Sequence, residues 1–173
     1  MKRIFAFLLT AIMILTLASC SQGEEGAPEG MKSVNTDSLN FKMYIPTEWT
    51  ADIESAMISA RVSEYKSANL SVMWFSDTTT TDHKEFFKKY KEQLPDLFEA
   101  YELTAEGTDS VLDNNPAGIY EYKVSSNGKE YKISQLICYK DSSFFVITFT
   151  AESAEFDSYK NDLDRIITNF SFK

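Results

Sequence analysis

Asn127-Gly128 stands between two runs of alternating apolar and polar residues, and no other dipeptide in the chain constrains the fold as tightly. Both residues accept the positive φ of a type I′ turn, so residues 117–124 and 129–140 are expected to pair as an antiparallel hairpin. Tyr120, Tyr122 and Val124 share one side of the first run; Tyr131, Ile133, Ile137 and Tyr139 share one side of the second. Asp141-Ser142-Ser143 supplies another turn into residues 144–151, a nearly continuous apolar run suited to the middle of a sheet. Asp113-Asn114-Asn115-Pro116 is a turn just upstream, after a strand pattern that starts at Leu103. Three consecutive hairpin-linked strands follow from these spacings.

The rest of the chain reads as strands, then a helix, with a second helix closing the sequence. Residues 41–45 alternate and stop at Pro46; a second strand is expected over about 57–65 and a third over 69–75. In the third, Leu70, Val72 and Trp74 lie on one face, Met73 and Phe75 on the other. A helix is expected from Asp82, with Asp82 capping and Glu85 reaching back in a capping box. Phe86, Phe87, Tyr90 and Leu94 form its apolar stripe, and Pro95 should break it, with Leu97, Phe98 and Tyr101 continuing helical spacing. Phe156, Tyr159, Leu163, Ile166 and Phe170 recur at helical intervals behind a Ser153 cap, and residues 170–172 can close as a short strand. The fold class is therefore α+β, with an antiparallel sheet of about six or seven strands flanked by helices.

The N-terminus determines where such a domain would work. Lys2 and Arg3 precede an apolar run over residues 4–17, which ends at Leu17-Ala18-Ser19-Cys20. This is a secretory signal of about 14–16 apolar residues, short of the ~20 that span a bilayer. The cysteine at the cut makes it a bacterial lipobox, so Cys20 is the expected lipidation site and residues 1–19 the cleaved leader. Residues 20–33 read as the lipidated cysteine and a polar tether with a span of roughly 20 Å. Residues 34–173 read as one globular domain, anchored outside the cytoplasmic membrane.

Loss of Lys2 and Arg3 with the leader takes the formal charge from −9 to −11. That acidity argues against nucleic acid as a partner and against electrostatic docking on anionic lipid. With Cys20 committed to lipid, Cys138 is left single; an internal disulfide is excluded, and alternation puts Cys138 with Leu136 as a small buried hydrophobe. His83 is the one histidine, and its neighbours Asp82 and Glu85 serve as helix-start residues, so no metal or other cofactor is expected. No Gly-x-Ser-x-Gly elbow or Gly-rich phosphate loop occurs. Paired acids such as Asp162 with Asp164 and Glu152 with Glu155 fall on solvated faces or loops.

Aromatic residues make up 14% of the chain, more than the helical and strand stripes require. Most sit at core spacing. Trp49, in the turn after Pro46, and Tyr120, Tyr122, Tyr131 and Tyr139 of the hairpin are alternatively candidates for an exposed recognition face.

The order of elements resembles the PsbP-like α/β/α sandwich of bacterial lipoproteins of the DcrB type. The resemblance rests on Pro46-Thr47-Glu48-Trp49 after the first strand, the mid-chain aromatic helix, the meander around Asn127-Gly128, and the closing helix over 156–170. The family often carries glycine where this chain has Glu48. The family has no shared catalytic set, and the resemblance implies a binding or assembly role. The expected function is a membrane-anchored, non-catalytic binding or accessory module for an envelope protein or small ligand, seated on a sheet edge or in a cleft near Trp49. The alternative is an envelope hydrolase with acidic site residues.

Overall fold

The computed structural model describes residues 26–54, 57–64, 66–77 and 79–173. The leader, Cys20 and the first part of the tether lie outside the described residues. Among the described residues there are eleven strands: β1 Met31–Ser33, β2 Phe41–Lys42, β3 Tyr44–Pro46, β4 Thr50–Glu54, β5 Met57–Arg61, β6 Asn69–Ser76, β7 Ala100–Leu112, β8 Asn115–Ser126, β9 Lys129–Lys140, β10 Ser143–Glu152 and β11 Ser171–Phe172. Among the same residues the helices are α1 His83–Lys91, α2 Leu94–Leu97 and α3 Lys160–Thr168, the last entered through a 3₁₀ turn over Phe156–Tyr159.

The main sheet has seven strands in the order β4-β5-β6-β10-β9-β8-β7, and every pairing is antiparallel. From the middle strand β10 to the edge strand β7 it is the run of hairpins expected from the turn sequences. Asp113-Asn114, Asn127-Gly128 and Asp141-Ser142 all hold positive φ, as two-residue hairpin turns require. β7 carries register shifts between Leu103 and Ala105 and between Glu106 and Thr108, the second at Gly107, whose φ is +71°.

Strand alternation divides the side chains between two faces. Face A carries Leu70, Val72, Leu136, Cys138, Phe145, Ile147, Phe149 and Ala151, covered by the 3₁₀ turn, α3 and the N-terminal arm. That arm is stitched by two small ladders, β1 with β3 and β2 with β11, the second of which ties it to the C-terminal strand. Phe41 lies stacked on Phe170 and edge-on to Phe145 and Trp74. Face B carries Tyr120, Tyr122, Val124, Ile133, Ile137, Phe144 and Val146, packed against Phe87 and Leu94 from the α1–α2 segment.

Several boundaries differ from expectation for physical reasons. The ordered domain begins before Val34: Met31 is 3% exposed, the Thr47 N–H donates to the Gly30 carbonyl, and Arg165 donates to the Glu29 carbonyl. A buried methionine inside a polar run was enough to recruit the end of the supposed tether. β4 carries little strand signal in the sequence because it is an edge strand: on its core-facing side Ala51 is half-buried and Ile53 is 41% exposed. β5 ends at Arg61, short of the expected residue 65. Asp82 caps α1 by accepting from the Lys84 N–H at 2.7 Å, but Glu85 does not reach back to the cap. It accepts instead from the Thr80 hydroxyl, whose oxygen in turn accepts the Asp82 N–H. Pro95 sits in the first turn of α2, and helical structure stops at Leu97; Phe98 is extended and Tyr101 belongs to β7. Ser153 does not cap the last helix: its N–H donates to the Glu130 carbonyl in a turn.

Candidate functional site

The rows of side chains across face B show where it is closed and where it is open. Tyr139 and Phe144 pair across β9 and β10, and Phe144 faces Phe75 of β6; this end lies under α1. Phe86 stacks on Phe144 at 4.6 Å and Phe87 on Tyr120 at 3.9 Å. Three rows nearer the Asn127-Gly128 turn, Tyr122, Ile133, Thr150 and Asn69 follow one another across β8, β9, β10 and β6. Here the helical cover has ended, and a groove of about 320 Å³ is lined by Ser67, Asn69, Phe98, Val124, Ser126, Tyr131, Ile133 and Thr150. Among these described lining residues none carries a formal charge. The β8–β9 side is mainly aromatic and aliphatic, with Ser126 at its end, and the β10–β6 side is amide and hydroxyl.

Between groove and helix lies the row of Tyr120, Gln135, Thr148 and Ser71. Gln135 is 5% exposed; its Nε2 donates to the Thr148 hydroxyl at 3.2 Å, while its Oε1 has no hydrogen-bond partner among the described residues. An unmatched buried acceptor of this kind carries a desolvation cost of about 1–3 kcal/mol.

The two inner tyrosines have partners of their own. Tyr120 hydroxyl lies 2.7 Å from His83 Nδ1, and Tyr122 hydroxyl 3.4 Å from that of Tyr90. Burial raises the Tyr120 phenol to about 12, with Asp82 and Glu106 adding to the shift, so it stays protonated. Burial, then the charge of Tyr90 and its hydrogen bond, raise Tyr122 far above the ordinary phenol value. Burial also lowers His83; Asp82 and Asp109 pull it back up and Lys84 adds to the depression. Gly118 is the residue that permits this packing, because a Cβ there would lie 2.4 Å from His83 Nδ1.

Exposure as a recognition face is therefore corrected at three of the five aromatic candidates. Trp49, Tyr120 and Tyr122 are each 1% exposed, and Trp49 stacks on Phe149 inside the face A core, so no cleft opens beside it. Alternation put the tyrosines on the correct side but could not show that α1 would descend on them. Tyr139 is half-buried, edge-on to Phe144. Tyr131 is half-buried and lines the groove. Phe98, Asn69 and Thr150 join it there without having been singled out. Helical spacing places Phe98 in a continuing helix, but Pro95 occupies the first turn of α2, which ends at Leu97 and leaves Phe98 extended.

Face A has its own crevice of about 290 Å³, between α3 and the sheet, lined by Ile119, Glu121, Ser134, Phe156, Lys160, Leu163, Asp164 and Ile167. It narrows inward to about 30 Å³ among Leu70, Leu136, Ile147 and Phe149, as a packing seam does. Its rim holds the Glu121–Lys132 ion pair at 3.1 Å, with Lys132 Nζ 4.5 Å from the Phe156 ring.

Cys138 is fully buried, and burial raises its thiol to about 11, which suits a packing residue. Asp162 is raised by burial and then by nearby Glu48, with Arg165 opposing; neither acid lines the groove or the crevice. Among the described residues no group of three His, Cys, Asp or Glu side chains is placed to hold a metal ion. No helix among them is long and apolar enough to cross a membrane.

No family model matches the chain, and no curated protein matches it. Solved structures do. The chain is similar to cyanobacterial PsbP (CyanoP) from Synechocystis, with a TM-score of 0.61 and 14% identity over 91% of this chain and 99% of that one. It is similar to the Ran-binding protein Mog1p of Saccharomyces cerevisiae, with a TM-score of 0.58 and 11% identity over 82% and 95%. LpqN, involved in cell envelope biogenesis of Mycobacterium tuberculosis, aligns with a TM-score of 0.50 and 14% identity over 83% and 90%. The fold is PsbP-like: an antiparallel seven-stranded sheet with helices on its faces. At these identities the likeness is one of fold.

Proposed function

We propose that this protein is a non-catalytic binding or accessory module, held outside the cytoplasmic membrane by lipid on Cys20, and that it works through the groove on face B. The single observation that supports this most is the groove itself, an uncharged recess on a rigid sheet with an aromatic wall and a polar wall. The lipobox supplies the anchor and the extracytoplasmic address. The names of the similar structures, one Ran-binding and one involved in envelope biogenesis, are in keeping with a role in binding or assembly. The hydrolase alternative would have to work through Glu121 and Asp164 of the face A crevice, and Glu121 is already paired with Lys132 at 3.1 Å.

Two measurements test this. A photo-crosslinking residue placed at Ser126, on the groove, should capture an envelope component from intact cells, while the same residue at Thr108 on the β7 edge should not. Equal capture at both positions, or none at Ser126, would remove the groove from the proposal. Labelled fatty acid should enter the wild-type protein and fail to enter Cys20→Ala; incorporation into both would overturn the anchor.

A further inference from the structure

We infer that the groove on face B takes a short, uncharged oligosaccharide, an inference that rests on the groove being the binding site. The change from apolar to polar occurs within one row of the sheet: Ile133 on β9 is followed by Thr150 on β10 and Asn69 on β6. Neighbouring strands lie about 4.8 Å apart, so the two walls stand roughly 5–10 Å from one another, within the reach of a single amphipathic ring. A sugar ring presents a C–H face and a rim of hydroxyls. Phe98 and Tyr131 offer the surface for the first, and Ser67, Asn69 and Thr150 offer donors and acceptors for the second.

Charge and topology narrow the ligand class further. Nearby charged groups are already engaged: Lys129 pairs with Glu152, which also accepts from Ser67, and Lys66 pairs with Glu155. Arg61 stands opposite Asn69 on the next strand, beyond the lining. An acidic ligand would therefore find no cation among the described lining residues, and an ammonium no carboxylate. An extended peptide is also a poor match. The groove floor is β8, β9, β10 and β6, all interior strands whose backbone groups pair on both sides, so no ladder can be extended there. One row further in, the Oε1 of Gln135 is a buried acceptor that lacks a donor among the described residues, on the same face and two residues from Ile133. A hydroxyl reaching past Ile133 would supply that donor.

The test is saturation-transfer NMR and calorimetry on the full chain in detergent, with maltotriose, cellotriose and chitotriose as neutral probes and trigalacturonate as the charged control. At least one neutral trisaccharide should receive saturation, strongest at its ring C–H protons, and trigalacturonate should not. Asn69→Ala and Tyr131→Leu should each weaken binding by roughly fivefold to tenfold, while Asp164→Asn on face A leaves it unchanged. Thermal melts of each variant establish that it folds, and Thr150→Val serves if Tyr131→Leu does not. Absence of transfer from all three neutral probes would overturn the ligand class, as would binding indifferent to Asn69→Ala and Thr150→Val. Should the sugars fail while a crosslinker at Ser126 captures a protein, the ligand class falls and the groove stands; should both fail, both are overturned.

Discussion

Face A of the sheet is closed by segments from both ends of the chain, whereas face B is roofed by one nine-residue helix and the turn that follows it. The rings on face A pack mainly as apolar volume: Trp49, Phe149, Phe156 and Tyr159 form one cluster, where the Tyr159 hydroxyl at the edge donates to Glu155, and Phe41, Phe145, Phe170 and Phe172 form another. On face B the rings carry hydroxyls that need partners, and His83 and Tyr90 on α1 provide them. The first arrangement needs most of the chain in place, while the second is assembled from a helix and the three strands beneath it. The difference shows why the groove is on face B. A short roof leaves sheet uncovered, and a face that already accommodates polar groups can be left open to water at little cost.

The contrast can be broken most sharply at its two anchors. Phe149→Ala on face A should lower stability by about 3–5 kcal/mol and unfold the whole domain at once. Phe87→Ala, equally buried, should cost less, because α1 can lift while the sheet stays paired. Denaturant titration with amide exchange across β8–β10 and residues 83–91 distinguishes the two. Equal losses, with sheet and helix protection falling together, would show the faces to be one cooperative unit.

A smaller effect is expected at Gly118, where the helix meets the sheet. Gly118→Ala should cost about 1–3 kcal/mol by pushing the His83 ring off its place. The double variant with His83→Ala should recover part of that loss, since it removes the obstacle. A single variant as stable as wild type would mean the imidazole swings aside freely.

The smallest effect concerns acid. Burial holds His83 below its ordinary value of 6.5, so the unfolded chain binds this proton first. Its contribution to stability is complete above about pH 6.5 and is lost progressively as pH falls through the lower folded value. Thermal melts from pH 8 downward should show that decline for wild type and a flatter profile for His83→Gln. Identical profiles would remove the imidazole as the cause.

Much of this was legible in the order of residues. The three hairpin turns, the alternation of β8, β9 and β10, the burial of Cys138 and the register of the closing helix all depend on neighbours a few positions away. Local signals of that kind survive in a bare sequence. β1 and β4 were missed because a strand that pairs on one side needs little apolar content. Tyr120 and Tyr122 were placed on the proper side of β8, yet their burial depended on a helix more than thirty positions upstream.

The chain by itself determined its antiparallel plan and its turns, because each is written in short-range spacing. Tertiary structure alone decided which aromatics were sealed and which lined a recess. That choice turned on how far α1 and α2 reach across face B, a matter of helix length and of α2 ending at Leu97 beside Phe98. Coverage of a surface is a property of two distant segments at once, and no window of sequence contains both.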